Sequence, residues 1–329
     1  PFPASSAEEA TDEQPAEKPE RQSEPVAIYP AEQNNLPFDV VVERMHIPDG
    51  KPDKAPALDY RITDDALGHG APKAKFRMNL EAIRTLGTIE GENRRATQKE
   101  QAVLAKYVGW GGIPQAFDPN NSAWASEYAE LKAALTETEY ESARASTLNA
   151  HYTSPIVIKA VYQAIENLGF QRGNILEPSC GIGNFFGLLP DNMADSKRYG
   201  VELDAITGRI ARQLYQNADI QIKGSEDADY PDNFFDLAIG NVPFGNYGVP
   251  DQRYDKYKFH IHDYFFAKAI DKVRPGGVVT FITSKGTLDK QDEKVRRYLA
   301  ERAELLGAIR LPNNAFPANA GTEVTTDIL

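Results

Sequence analysis

From His151 onward the chain keeps one rhythm: a short apolar run, a turn, then a stretch with apolar residues at helical spacing. Ile175, Leu176 and Glu177 lead into a loop holding Gly181 and Gly183, and Tyr199 to Leu203 lead into a stretch with Ile206, Ile210 and Leu214 on one face. Further strands are expected at 220–222, 235–239, 278–283 and 305–311, with helices near 262–273 and 291–303 and Arg274-Pro-Gly-Gly277 as the turn before 278–283. Strands separated by helix-length connections pair in parallel and are buried on both faces. The pattern therefore predicts an α/β fold, a mostly parallel, Rossmann-like sheet with helices on both sides. Such sheets bind ligands at the carboxyl ends of their strands.

The first 150 residues read differently. Phe76, Leu80 and Ile83 repeat at i, i+4, i+7, and the pairs Thr97/Glu100 and Thr136/Glu139 fit capping boxes, which predicts an N-terminal helical layer over 59–150. Within it Gly109-Trp110-Gly111-Gly112 reads as a turn anchored by a core tryptophan, with close backbone approach to a ligand as the alternative. Residues 1–58 are expected to form a disordered acidic tail or linker. Positions 1–35 hold eight acidic side chains against Lys18 and Arg21, with six prolines and few large apolar groups, too little burial to offset chain entropy.

At 329 residues, 41% hydrophobic and 26% charged, the chain is of ordinary globular composition, which excludes collagen, coiled coil and disulfide scaffold. Its single cysteine, Cys180, cannot form an internal disulfide. No apolar run approaches a membrane span and no signal-peptide pattern opens the sequence, so a cytoplasmic protein without membrane contact is expected. A net charge of −12 argues against a surface that grips polyphosphate throughout.

Two segments carry the chemistry. Glu177-Pro-Ser179-Cys-Gly181-Ile-Gly183 closes one expected strand, and its glycines let backbone approach a ligand; it lacks the full dinucleotide fingerprint and has no Walker lysine. Glu202, at the end of the next strand, can accept both hydroxyls of a ribose; the bland alternative is an exposed strand-end charge. The second segment is an apolar strand from Asp236 that ends in Asn241-Val242-Pro243-Phe244. His260 and His262 beside Asp263 lack further ligands nearby in sequence, so no metal is expected.

Together these segments resemble the class I S-adenosylmethionine-dependent methyltransferases, in particular the gamma-type N6-adenine DNA methyltransferases with their Asn-Pro-Pro-Tyr or Asn-Pro-Pro-Phe motif. The resemblance covers 151–329 and implies a seven-stranded class I fold, shortened at its C-terminal end. It implies that Tyr152 and Thr153 hold the methionine end of S-adenosylmethionine. Glu177, Ser179, Gly181 and Gly183 then form the cofactor loop, Glu202 the ribose carboxylate, and Glu226 and Asp227 the segment near the cofactor adenine. Asn241, Val242, Pro243 and Phe244 become the catalytic tetrad, with Phe244 and Phe316 as faces of a pocket for the target base; Phe316 can also be read as a hydrophobic plug.

Adenine's exocyclic amine is a poor nucleophile because its lone pair is delocalised into the ring. If the Asn241 side-chain oxygen and the Val242 carbonyl each accept one of its N–H bonds, the nitrogen turns tetrahedral and no strong base is needed. Phe244 would stack an extruded base. Val242 stands where the family has proline, which relaxes the backbone. Cytosine C5 methylation, which needs a cysteine nucleophile, is not expected, because Cys180 lies inside the glycine loop.

Tyr107-Val-Gly-Trp-Gly-Gly112 and Arg144 to Thr153 are similar to the methylase regions of large helicase-methylase proteins of conjugative and other mobile elements. That resemblance implies DNA as partner, helicase and target-recognition regions on the same polypeptide, and protection of transferred DNA from restriction. The alternatives are an RNA or protein-amide methyltransferase, or a catalytically silent scaffold that binds the cofactor.

Overall fold

In the computed structural model, residues 56–66, 68–147, 153–312 and 325–329 are described. The expected tail up to position 55 lies outside them, as do Tyr152 and Phe316. The helical layer begins with α1 (Pro72–Gly91), where Pro72 sits at the first helical position and its fixed φ suits the opening turn. Phe76, Leu80, Ile83 and Leu86 are buried along one face of it. Both expected capping boxes form: Thr97 and Thr136 accept from the backbone N–H of Glu100 and Glu139 at the starts of α2 (Gln98–Leu104) and α4 (Glu137–Ser146), and each glutamate accepts in return. Between them lies α3 (Ala125–Ala134). Trp110 is fully buried, its ring edge-on to Phe117 with centroids 5.3 Å apart, so the glycine turn is anchored by core packing as expected.

After α5 (Pro155–Asn167) come β1 (Asn174–Glu177), α6 (Asn184–Gly187), β2 (Lys197–Glu202), α7 (Ala205–Leu214), β3 (Asp219–Ile222), β4 (Phe235–Asn241), α8 (Ile261–Lys272), β5 (Val273–Ser284), α9 (Gly286–Asp289), α10 (Lys294–Ala300), β6 (Ile309–Arg310) and β7 (Thr326–Ile328). The sheet order is β3-β2-β1-β4-β5-β7-β6. Strands β1 to β5 pair in parallel, and β7 runs antiparallel to both β5 and β6. Successive side chains on a strand face opposite ways, and the two cores follow that alternation. Ile175, Leu237, Ile239 and Ile282 join the core with α1, α5 and α7, whereas Leu176, Ala238 and Phe281 join the core with α8. The expected α/β class with helices on both faces is what the chain adopts.

Three local expectations differ from the fold. The apolar run at 305–311 yields only two strand residues, Ile309 and Arg310, which pair with Ile328 and Asp327 of the short β7; Leu305 and Leu306 stay 64% and 60% exposed. The last helix is shorter than 291–303, at Lys294–Ala300. Arg274-Pro-Gly-Gly277 is not a turn preceding β5 but an irregularity within it: the β4–β5 register shifts between Phe235 and Leu237, and Gly276 takes φ +77°. Among the described residues, no helix is long and apolar enough to cross a membrane.

Candidate active site

A cleft of about 480 Å³ opens at the carboxyl ends of β1, β2 and β4, the position expected for a ligand in such a sheet. Its walls bring together Thr153, Glu177, Ser179, Gly181, Glu202, Glu226, Asn241 and Pro243 from the residues singled out in the sequence. The helical layer supplies a wall that sequence reasoning did not assign, with Tyr107, Val108, Gly109, Ser142 and Ser146. The signal for it was present in the Gly109 turn: Gly109 has φ +69°, and Asn79 holds the turn by accepting from the Val108 N–H at 2.9 Å and donating to the Gly109 carbonyl at 2.6 Å.

The loop after β1 is fixed by backbone bonds to its neighbours. Cys180 N–H donates to the Val201 carbonyl (2.9 Å), Gly183 N–H to the Cys180 carbonyl (2.7 Å), and the Ser225 hydroxyl to the Pro178 carbonyl (2.6 Å). Gly183 caps α6 at φ +84°, and a β-carbon there would lie 2.5 Å from the Tyr215 ring. It does not line the cleft. The glycine serves the packing of the loop on α7, where the motif had suggested contact with a ligand.

Glu202 ties two of these pieces together. Its Oε2 accepts from Gly181 N–H (2.8 Å) and its Oε1 from Asp204 N–H (2.9 Å). Asp204 in turn caps α7 by accepting from Thr207 N–H (2.9 Å), and accepts from the Ser142 hydroxyl of the helical layer (2.7 Å). Burial pushes the Glu202 carboxyl up to about 7, although the Asp204 and Gly181 N–H bonds pull it down. Glu177 is buried with Oε2 unpartnered, and burial followed by the charge of Glu202 raises its carboxyl well above the usual range. Cys180 is buried in the same loop and its thiol is pushed up too, which leaves it unsuited to nucleophilic work.

Asn241 is the last residue of β4. Its amide nitrogen donates to Thr153 Oγ1 (3.1 Å), and its Oδ1 is buried without a partner. Val242 is 2% exposed, packs in the core with α8, and donates its N–H to the Ile282 carbonyl (3.2 Å). A proline there could not make that bond, which gives the departure from the family tetrad a physical reason. Pro243 lines the cleft; Phe244 does not, and packs partly buried against both cores. Asp227 is exposed and outside the cleft wall, whereas Glu226 lines it. His260 caps α8 and His262 is buried behind it, its imidazole pKa lowered by burial. Among the described residues there is no group of three potential metal ligands.

Five parallel strands followed by an antiparallel β7 set between β5 and β6 give the strand order 3-2-1-4-5-7-6. This is the class I methyltransferase fold. Residues 182–316 match the Eco57I restriction-modification methylase family. The chain is 27% identical over 268 residues to "Defense against restriction protein B" of Escherichia phage P1, a match covering 80% of this chain and 10% of that protein. It is 39% identical over 80 residues to a type II methyltransferase, M.CvrRI, of Paramecium bursaria Chlorella virus XZ-6E, covering 24% of this chain and 21% of that protein. The matches thus span about a tenth and about a fifth of those relatives' lengths.

Among solved structures, the chain is similar to one described as a class I S-adenosylmethionine-dependent methyltransferase from Listeria monocytogenes (TM-score 0.48, 16% identity, 78% of this chain and 87% of that one). It is also similar to a type I restriction enzyme modification subunit from Vibrio vulnificus YJ016 (TM-score 0.45, 14% identity, 80% and 77%).

Proposed function

We propose that this chain transfers a methyl group from S-adenosylmethionine to N6 of adenine in DNA. The observation that carries the reading is the state of Asn241: a buried side-chain oxygen without a partner, on the wall of a cleft, with its amide nitrogen donating to the Thr153 hydroxyl. A buried acceptor left unmatched is costly, and an N–H of an incoming amine satisfies it.

The cleft fits the cofactor. Glu202 offers a carboxylate to ribose hydroxyls, Glu177 Oε2 is a second buried and unsatisfied group, and the loop between them presents backbone rather than bulk. When bound, S-adenosylmethionine supplies a methyl group on a sulfonium, an electrophile that needs no metal or base. Glu177, Ser179, Gly181, Glu202 and Glu226 would hold it. Asn241 Oδ1 and the carbonyl of Val242 would each accept one N–H of the target amine, drawing its lone pair out of conjugation. Thr153 positions Asn241, and the buried Val242 side chain fixes the backbone beside it.

DNA as substrate draws support from the restriction-modification family match and from the methyltransferase and anti-restriction names of the relatives. On this reading the methyl mark protects DNA from restriction. The helicase and target-recognition regions implied by the resemblance belong to the same proposal.

The test is incubation with labelled cofactor and unmethylated DNA, RNA or protein, followed by nucleoside analysis. N6-methyladenine in DNA is expected, and Asn241→Ala should lower turnover about 100-fold or more while leaving cofactor affinity near wild type. Transfer to RNA or protein alone would replace the substrate class, and cofactor binding with no transfer to any of the three would establish a silent scaffold.

A further inference from the structure

We infer that Asp263, buried in the first turn of α8, is a positioning residue for the proposed methyl transfer: its bonds to the segment after β5 lock together the two anchors of the loop from Asn241 to Tyr247. The inference rests on that reaction and concerns the placement of the loop. Val242 N–H donates to the Ile282 carbonyl of β5 (3.2 Å), beside Asn241, which is paired with Ile282 in the β4–β5 register. At the far end the Tyr247 carbonyl accepts from the Ile261 N–H that opens α8 (2.8 Å). One anchor belongs to β5 and the other to α8, so the course of the loop depends on how those two elements are held to each other.

Asp263 holds them. It follows Ile261 by one turn position, is fully buried, and its carboxylate accepts from Lys290 Nζ (2.6 Å) and from the Thr287 hydroxyl (3.2 Å). Thr287 shares a hydrogen bond with the hydroxyl of Thr283 (3.2 Å), the residue next to Ile282 in β5, and both threonines are buried. His262 fills the space beside this chain of bonds, its Nε2 3.6 Å from Asp263 Oδ1 and 3.8 Å from where a β-carbon on Gly286 would lie. A buried ion pair gains little or no stability over apolar side chains of similar size, whereas its directional bonds fix one arrangement. A contact needed only for folding would be served as well by an apolar pair; Asp263 and Lys290 add direction at the base of the tetrad loop.

Single-turnover methyl transfer to DNA, calorimetry of cofactor binding and thermal unfolding are measured on each variant. Asp263→Asn and Lys290→Met should each lower the rate per folded molecule about tenfold or more with cofactor affinity near wild type, and Lys290→Arg should recover most of the rate lost in Lys290→Met. Asp263→Leu combined with Lys290→Met should unfold near the wild-type temperature and still be slow. Hydrogen–deuterium exchange of the cofactor-free chain reads the loop without turnover: residues 242–247 should exchange about tenfold faster in Asp263→Asn, with β2 and β3 unchanged.

A wild-type rate in the apolar pair, or unchanged exchange at 242–247 in Asp263→Asn, overturns the inference. Faster exchange throughout the sheet also overturns it, because Asp263 would then be a fold contact only. If the apolar pair does not fold, Asp263→Asn and Lys290→Arg decide by the same criteria. Failure of the wild type to methylate any adenine refutes the proposed reaction instead, and the exchange of the loop still decides whether Asp263 positions it.

Discussion

Raising the pH should destabilise the cofactor-free protein, because the fold buries carboxyl groups that prefer to stay protonated. In the unfolded chain a glutamate titrates near 4.3, whereas Glu202 in the fold titrates at about 7. Between those values the folded state binds more protons than the unfolded state, so stability is full below the ordinary carboxylate range and falls as the pH climbs through 7. Each unit of difference is worth about 1.4 kcal/mol. Glu202 keeps some contact with water, so the loss is discounted to about 1 to 3 kcal/mol, or roughly 2 to 8 °C in unfolding temperature for a domain of this size.

Glu177, raised further by burial and by Glu202, adds a loss of the same sign at higher pH. The assay is thermal unfolding of wild type and Glu202→Gln across pH 5 to 9, read as the difference between the two so that the shared surface charge cancels. The glutamine cannot accept from both Gly181 and Asp204 N–H groups, so the variant starts lower but should lose less as the pH rises. A wild-type to variant gap that is constant with pH would refute the assignment of a titrating, buried Glu202.

Three further outcomes follow from the geometry. Val242→Pro, although it restores the family tetrad, should cost about 1 to 3 kcal/mol in urea unfolding, since it deletes the N–H bond to the Ile282 carbonyl at a fully packed position; unchanged stability would show that the bond contributes nothing. Thr153→Val should lower turnover about tenfold or more, beyond any loss of cofactor affinity, by releasing the Asn241 amide from the Thr153 hydroxyl, and single-turnover transfer and calorimetry measure the two effects separately. Gly183→Ala should destabilise by about 1 to 3 kcal/mol through its positive φ and its collision with the Tyr215 ring, and any loss of cofactor affinity should track the loss of folded protein.

The parts of this fold that repeat were readable from the chain. Short apolar runs with period-3.6 connectors gave β1 to β5 and α7, and Thr97/Glu100 and Thr136/Glu139 announced their helices because a capping box is a local interaction. Strand β6 was overestimated because its length depends on a distant partner, β7, and not on the apolar run itself. In the site, Glu177, Glu202 and Asn241 were legible as strand-end polar residues of a parallel sheet. The retreat of Phe244 into the cores and the structural duty of Gly183 were not, since each depends on which surfaces meet in three dimensions.

The charge of the cleft ties these pieces to a mode of access. Among the described residues, four carboxylic side chains, Glu177, Glu202, Asp204 and Glu226, line it against the single cation Lys223. Burial raises the carboxyls of Glu177 and Glu202, Glu202 to about 7, so the interior is less negative than its composition suggests and gains charge where a hydrogen-bond donor settles on Glu202. A sulfonium-bearing nucleoside, positively charged and rich in hydroxyl donors, suits such a wall. A phosphodiester backbone does not, because it would bring anionic charge against carboxylates in a partly desolvated space. On the proposed reading, a nucleic acid therefore enters as a neutral base alone, with its phosphates kept outside the rim.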